Sequence, residues 1–417
     1  MTYLKFVWRR LLQRMWFLPA AFSVIAVLTI IVAYFVARYA PEDLPFVMPA
    51  DAVQTILQIL ASSLLTVAVF ALSTVVGALS SASSATTPRA VPLIAGDLRA
   101  QTSISVFIGA FLFSIVGIIG LSVGLYSEAG RLFLFVVTLG VLVLVVTSLI
   151  RWIGQISAIG RVGYTIEAVE AATSNAVSIT VERKLLGGRL LTGQPQGEPV
   201  RAERPGYVQL CDMEQLQKLA ESHGLTIAVL ARPGAYSTPI RPLICVEGPL
   251  DDALRQALRD CFVLGEVRTF DSDPRFGFIV LGEIADKALS PGINDPGTAI
   301  AVIDTLTRLL LDWQDRDGEV LYDRVLVAPI DAREVLEDAF RPIARDGAAF
   351  VEVMIRQLKS LETLAHCNAW LAPAARQCAA STLRRAGGAL SFDEDRAALA
   401  AVSGWIETGN EQDAAAG

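Results

Sequence analysis

The stretch AVQTILQILASSLLTVAVFALSTVVGALSSASSATTP, residues 52–88, contains no Asp, Glu, Lys or Arg. It is not a plain apolar run. Ser63, Thr66, Thr74, Gly77, Ser81 and Ser84 recur at three- and four-residue steps, interrupted by the bulky Phe70. At 3.6 residues per turn these positions share one helix face. A small polar stripe on a membrane helix either packs against a neighbouring helix or faces water. Three further stretches also lack formal charge: residues 15–37, 100–127 and 132–150. Each is long enough to cross about 30 Å of hydrocarbon at about 1.5 Å per residue. The pattern predicts four transmembrane helices, followed by a mixed α/β domain and then a mainly helical one.

Basic residues set the expected orientation. Lys5, Arg9, Arg10 and Arg14 precede the first span, Arg89 and Arg99 lie between the second and third, and Arg151 and Arg161 follow the fourth. Only Arg38 and Arg131 fall on the opposite side. Both termini are therefore expected in the cytoplasm, in a multi-pass protein of the inner membrane. The first span is long and is followed by Arg38 and Pro41, which argues against a cleaved signal peptide.

The 417 residues carry 35 basic and 42 acidic side chains, and 27 and 37 of these lie from Arg151 onward. An acidic cytosolic part argues against nucleic acid as a partner. The lipid bilayer is the expected environment. All five cysteines lie in that part, none with CxxC spacing, and read as buried small side chains.

The expected organisation is a transmembrane domain over residues 1–153, a helical stalk over 154–188 that prolongs the fourth span, and a Gly/Pro-rich linker over 189–206. A small α/β domain over 207–272 and a mainly helical domain over 273–408 follow, with a disordered tail over 409–417. In the third span Gly117, Gly120 and Gly124 share a face and predict close helix–helix approach. Strands are expected near 207–210, 225–231, 242–246, 266–270 and 324–328. Asp212, Asp251 and Asp295 read as helix caps. The turn at Pro233-Gly234 lacks a lysine to carry a lipoyl or biotinyl group and reads as structural. No cofactor is implied.

Chemistry-bearing motifs are sparse. No HExxH, GxSxG, P-loop or dinucleotide fingerprint occurs. His223 and His366 are the two histidines, and the acidic pairs fall at caps and turns, so neither a catalytic nor a metal-binding residue is nominated. No Asp, Glu, His, Lys or Arg lies within the four spans, which weakens a proton- or ion-coupled transporter. What remains is an oligomeric channel or pore for a small ion or solute, regulated by a cytosolic domain, or a non-conducting scaffold or sensor. Four helices enclose little space, so the channel reading requires a homo-oligomer.

Residues 288–296, ALSPGINDP, are the most distinctive run. Pro291-Gly292 ends one helix, Asp295 caps the next, and Pro296 takes its first position. This is a tight corner between helices, or a polar ligand site formed by Ser290, Asn294, Asp295 and Thr298. The run, with Thr298-Ala299, the Pro88-Arg89 pair at the inner-interface junction and the Arg232-Pro233-Gly234 turn, resembles the signature of a bacterial domain-of-unknown-function family of predicted integral membrane proteins. The resemblance covers nearly the whole chain. It implies a membrane location and this domain layout, and no activity.

Overall fold

A computed structural model describes residues 17–39, 49–95, 98–315 and 318–406. The N-terminal basic cluster, most of the first outer loop and the expected tail lie outside them. The described residues form two units: 17–84 with 91–164, and 85–90 with 165–406.

The first unit comprises α1 (Phe17–Tyr39), α2 (Ala50–Ala85), a short α3 (Val91–Ala95), α4 (Leu98–Ser122) and α5 (Glu128–Ile159). Three segments are long and apolar enough to cross a membrane: Ala50–Ala85, Gln101–Ser122 and Glu128–Ile156. In α1 the apolar stretch Phe17–Val32 is shorter than these. The 36 residues of α2 extend over roughly 54 Å, well beyond a bilayer's hydrocarbon. Its Leu60, Leu64, Ala71 and Val75 pack with Phe107 and Ala110 of α4 and with Val145 and Trp152 of α5.

Glycines on α4 permit that packing. A Cβ at Gly117 would stand 3.0 Å from the Leu57 side chain of α2, and one at Gly109 would stand 3.2 Å from Phe22 of α1. Gly120 lies under the Tyr126 ring. Gly124 has φ +72° and reverses the chain after α4 rather than joining the contact face.

Helix α6 (Val162–Glu182) belongs to the second unit from Thr165 onward. The α5–α6 connection is not one continuous helix: it breaks at Gly160-Arg161, where glycine gives the helix its weakest intrinsic support. The second unit continues through β1 (Gly188–Leu190), β2 (Glu198–Arg201), β3 (Gly206–Cys211), α7 (Met213–His223), β4 (Thr226–Val229), β5 (Tyr236–Ser237), β6 (Pro242–Glu247), α8 (Asp252–Asp260) and β7 (Phe262–Gly265). It ends with α9 (Pro274–Leu289), α10 (Pro296–Asp312), β8 (Tyr322–Val327), α11 (Ala332–Asp346), α12 (Val351–Cys367), α13 (Ala372–Ala389) and α14 (Asp393–Ala401).

One sheet has the order β1-β8-β4-β6-β2, with β8 parallel to both β1 and β4 and the remaining pairs antiparallel. A second, antiparallel sheet has the order β5-β3-β7. This topology redraws the expected domain boundaries. The presumed linker over 189–206 contains most of β1 and all of β2. Its Gly and Pro residues hid them, yet Val200 is buried in the sheet core. The division at residue 272 also disappears, because β8 comes from the helical half and sits inside the first sheet, between β1 and β4.

The strand expected over 266–270 falls earlier, at β7. There Gly265 ends the ladder under the Gln209 side chain, whose Nε2 donates to the Val267 carbonyl at 2.8 Å. Helix starts follow the acidic caps. Asp212, Asp251, Asp273, Asp295 and Asp331 each accept a backbone N–H from the first turn that follows.

Candidate functional site

Helix α2 presents three faces. Leu57, Leu60, Leu64, Ala68, Ala71 and Val75 are buried within the chain. Leu65, Val69, Leu72 and Val76 form a separate, exposed apolar face. The stripe is the third. Ser63, Thr66, Gly77, Ser81 and Ser84 are exposed and Thr74 is half-buried. Nothing lies within 4 Å of a Cβ built at Gly77. The stripe is therefore not the seam by which α2 packs on its own chain. Several hydroxyls turn back onto the helix: Ser63 Oγ donates to the Ile59 carbonyl at 2.7 Å, Thr74 Oγ1 to Phe70 at 2.8 Å and Ser84 Oγ to Ser81 at 2.9 Å. Such bonds satisfy a hydroxyl in apolar surroundings.

Past α2 the chain enters the second unit at residues 85–90. Thr86, Thr87 and Ala90 are buried, whereas Pro88 and Arg89 are exposed. Thr87 Oγ1 donates to Glu283 Oε2 at 2.9 Å, and Arg89 pairs with the other carboxylate oxygen. The Arg89 N–H donates to Thr87 Oγ1 at 3.3 Å, closing the turn. Glu283 thus holds both ends of the junction. It projects from α9, a helix otherwise buried through Phe276, Phe278, Val280, Leu281 and Ile284.

Next to Glu283 lies a charged cavity of about 570 Å³, lined by Arg275, Asp286, Glu334, Asp338 and Arg341 among others. Arg275 Nε donates to Asp338 at 2.7 Å and its Nη1 pairs with Glu334. Burial raises the Asp338 carboxyl against the pull of Arg275. Burial, and then the neighbouring Asp346, pushes Asp286 up to about 6, while Arg345 opposes that rise.

Helix α9 ends in the signature corner. Ser290 Oγ donates to the Lys287 carbonyl at 2.6 Å, and the Ile293 and Asn294 N–H groups donate to the Ser290 carbonyl. Asn294 takes φ +53°, a left-handed conformation that Asn tolerates. Asp295 accepts the Thr298 N–H at 3.0 Å and the Thr298 hydroxyl at 2.6 Å, and these bonds hold its carboxyl below the usual range. Of the four nominated polar side chains Asp295 and Thr298 bond to each other and Ser290 bonds back to its own helix, and this geometry is that of a corner. Ser290 and Asp295 spend their bonding capacity locally, and Asp295 already occupies the positive end of α10.

The corner sets two helices against α6. A Cβ on Gly277 of α9 would fall 1.9 Å from Thr173 Oγ1 of α6. From α10, Arg308 grips Glu170 of α6 with two hydrogen bonds of 2.9 and 3.0 Å. The α9–α10 pair thus holds both segments through which the chain enters this unit, residues 85–90 and α6. Sequence reasoning missed Glu283, Gly277 and the Glu170–Arg308 pair. The available signal was a single carboxylate in the apolar run FGFIVLGEIA.

Cys211, Cys245 and Cys261 are buried free thiols. Burial raises all three, Cys261 to about 12. Among the described residues no group of three or more His, Cys, Asp or Glu side chains is placed to hold a metal ion.

Three helices of membrane-spanning length and apolarity, joined to an α/β and helical unit, define an integral membrane protein. The chain belongs to the family described as "Predicted membrane protein (DUF2254)", whose model matches residues 13–363. Among its relatives are the uncharacterized protein Rv1290c of Mycobacterium tuberculosis strain H37Rv and the uncharacterized protein Mb1321c of Mycobacterium bovis. Each is 26% identical to this chain over 298 residues, covering 66% of it and 56% of the relative. The matched region is thus little more than half of either relative. No solved structure matches the chain.

Proposed function

We propose that this protein is a homo-oligomeric channel or pore of the bacterial inner membrane, with α2 turned toward the axis and the second unit acting as a cytosolic regulatory part. The observation that carries the reading is the outward stripe. Leu65, Val69, Leu72 and Val76 already give α2 a face suited to lipid. A second exposed face of Ser, Thr and Gly is surplus to that need and suits water or another copy. On this reading α1 crosses the bilayer as a fourth span, both termini are cytoplasmic, and a small ion or solute passes along the stripe. The coupling of Thr87 and Arg89 to Glu283, at the end of α2, supports a route from the second unit to the proposed pore helix. The reading assigns no catalytic chemistry to the chain.

One observation favours a second reading, a non-conducting scaffold or sensor. The stripe hydroxyls return to their own backbone, which suits a dry seam between copies as well as a wet wall. Purified protein in liposomes separates the two. Passage of monovalent ions or small neutral solutes above protein-free vesicles supports the pore. Tight vesicles that contain correctly inserted oligomers contradict it.

A further inference from the structure

Helix α6 stops at Glu182, and the chain then reverses through an unusual turn. Leu185 and Leu186 take φ +54° and +58°, and Gly187 takes φ +84°. Left-handed leucines are strained and persist only where the surroundings enforce them. Leu185 borders a cavity of about 660 Å³, a volume within the small-molecule range of roughly 300–1,000 Å³, and Leu186 borders an adjoining one of about 360 Å³.

The walls of the larger cavity combine two chemistries. The lining includes Trp313 and Trp370, ring centroids 5.2 Å apart, with Trp313 also stacked on Phe278. It also includes Lys184, Arg189 and Arg232. Lys184 is paired with Asp315 at 2.8 Å. Arg189 and Arg232 have no carboxylate partner among the described residues.

Arg232 is the informative one. It is largely buried, its Nη1 donates to the Ala328 carbonyl at 2.8 Å, and it reaches an adjoining cavity of about 360 Å³ as well. Burial lowers its pKa to about 10, and Cys211 opposes that fall only in part. The carboxylates of the adjoining cavity are already committed: Asp273 to Arg268, Glu334 to Arg275, and Asp331 to the first turn of α11. A guanidinium removed from water without a counter-charge is costly, and a bound anion relieves that cost.

We propose that this cavity is a binding site for a small organic anion, a phosphate or carboxylate carried on a flat apolar body. Arg232 and Arg189 hold the anionic head, and Trp313 and Trp370 cover the body. Arginine presents a planar fork of donors that matches both head groups. The site lies where α6 ends, so its occupant touches Thr180 of α6 and the strained turn together. Binding stands whether or not the membrane unit conducts.

The test uses the full-length protein in detergent or nanodiscs, with isothermal calorimetry as the readout. The probes are phenyl phosphate, benzoate, adenosine monophosphate, inorganic phosphate and benzyl alcohol. The expected result is saturable binding of phenyl phosphate, at least about tenfold tighter than inorganic phosphate or benzyl alcohol, and weakened about tenfold or more by Arg232→Met. Benzoate and adenosine monophosphate show which head group and which size of body the site prefers. If Arg232→Met loses cooperative unfolding, the exposed Arg189→Met carries the test, with an expected weakening of about threefold or more. No saturable binding of any anionic probe at millimolar concentration overturns the proposal. So does inorganic phosphate binding as tightly as phenyl phosphate, or unchanged affinity in the folded arginine variant.

Discussion

Replacing Gly277 by Ala puts a methyl group where α6 and α9 leave no room. The new Cβ would lie 1.9 Å from Thr173 Oγ1, 2.6 Å from its Cγ2 and 2.7 Å from its Cβ. Rotating the Thr173 side chain cannot resolve this, because Cβ does not move with χ1. One helix must shift by about 1 Å, within a packed interior where added methylenes typically cost about 1–3 kcal/mol. Removing a glycine from a helix interior returns about 1 kcal/mol. Three contacts this short put the cost in the upper part of that range, about 2–3 kcal/mol, so the overpacking wins and the net loss is about 1–2 kcal/mol. The five cysteines provide a specific assay, since all lie in the second unit and none in the first. Cys211, Cys245 and Cys261 are buried and react with a thiol reagent only as that unit opens, above the baseline set by exposed Cys367. The reactivity midpoint on heating falls by about 2–8 °C in Gly277→Ala. Adding Thr173→Ala removes two of the three clashing atoms and recovers part of the loss. An unchanged or raised midpoint refutes the close approach of α6 and α9.

The junction gives an asymmetric pair. Arg89 is 57% exposed, so Arg89→Ala costs under about 1 kcal/mol, while Glu283→Ala strips the buried Thr87 hydroxyl of its acceptor and costs about 1–3 kcal/mol; equal midpoints contradict this. Asp286, raised from 3.8 to about 6, binds a proton in the folded protein that the unfolded chain has lost. Its stabilising contribution is complete below about pH 4 and is lost as pH rises through 6. Scanning calorimetry therefore shows Asp286→Asn gaining stability relative to the parent between pH 4 and 7, and a constant difference contradicts the assignment. At the signature corner, Asn294→Gly is neutral or slightly stabilising because φ is +53°, whereas Asn294→Val lowers stability by about 1–3 kcal/mol. Equal midpoints for the two variants contradict that backbone argument.

Local chemistry was legible wherever it repeated or ended something. The charge-free runs located the long helices, and Asp212, Asp251 and Asp295 announced helix starts because a carboxylate there meets unpaired N–H groups. Long-range pairing was not legible. Strand β8 is only six residues long and separated from β4 by nearly a hundred, so nothing local reveals that it lies between β1 and β4. Strands β1 and β2 were hidden because Gly193, Gly197 and Pro199 read as linker, although Pro199 is tolerated on the edge strand β2. The stripe was visible as a face, but only packing shows that it points away from the chain's own helices. The signature was visible as a corner; what it positions, Glu283 and Gly277, lies one to four turns upstream on a helix whose partners come from elsewhere in the sequence.

The proposal that α2 lines a water-filled path is tested most directly by single cysteines in a background lacking the native ones. Thr66→Cys, Thr74→Cys and Ser81→Cys sample the stripe, and Val69→Cys and Val76→Cys sample the apolar face. A membrane-impermeant, water-soluble thiol reagent is applied to the protein in its bilayer. The account predicts modification at the stripe positions and protection at Val69 and Val76. Protection of all three stripe positions under every condition contradicts it.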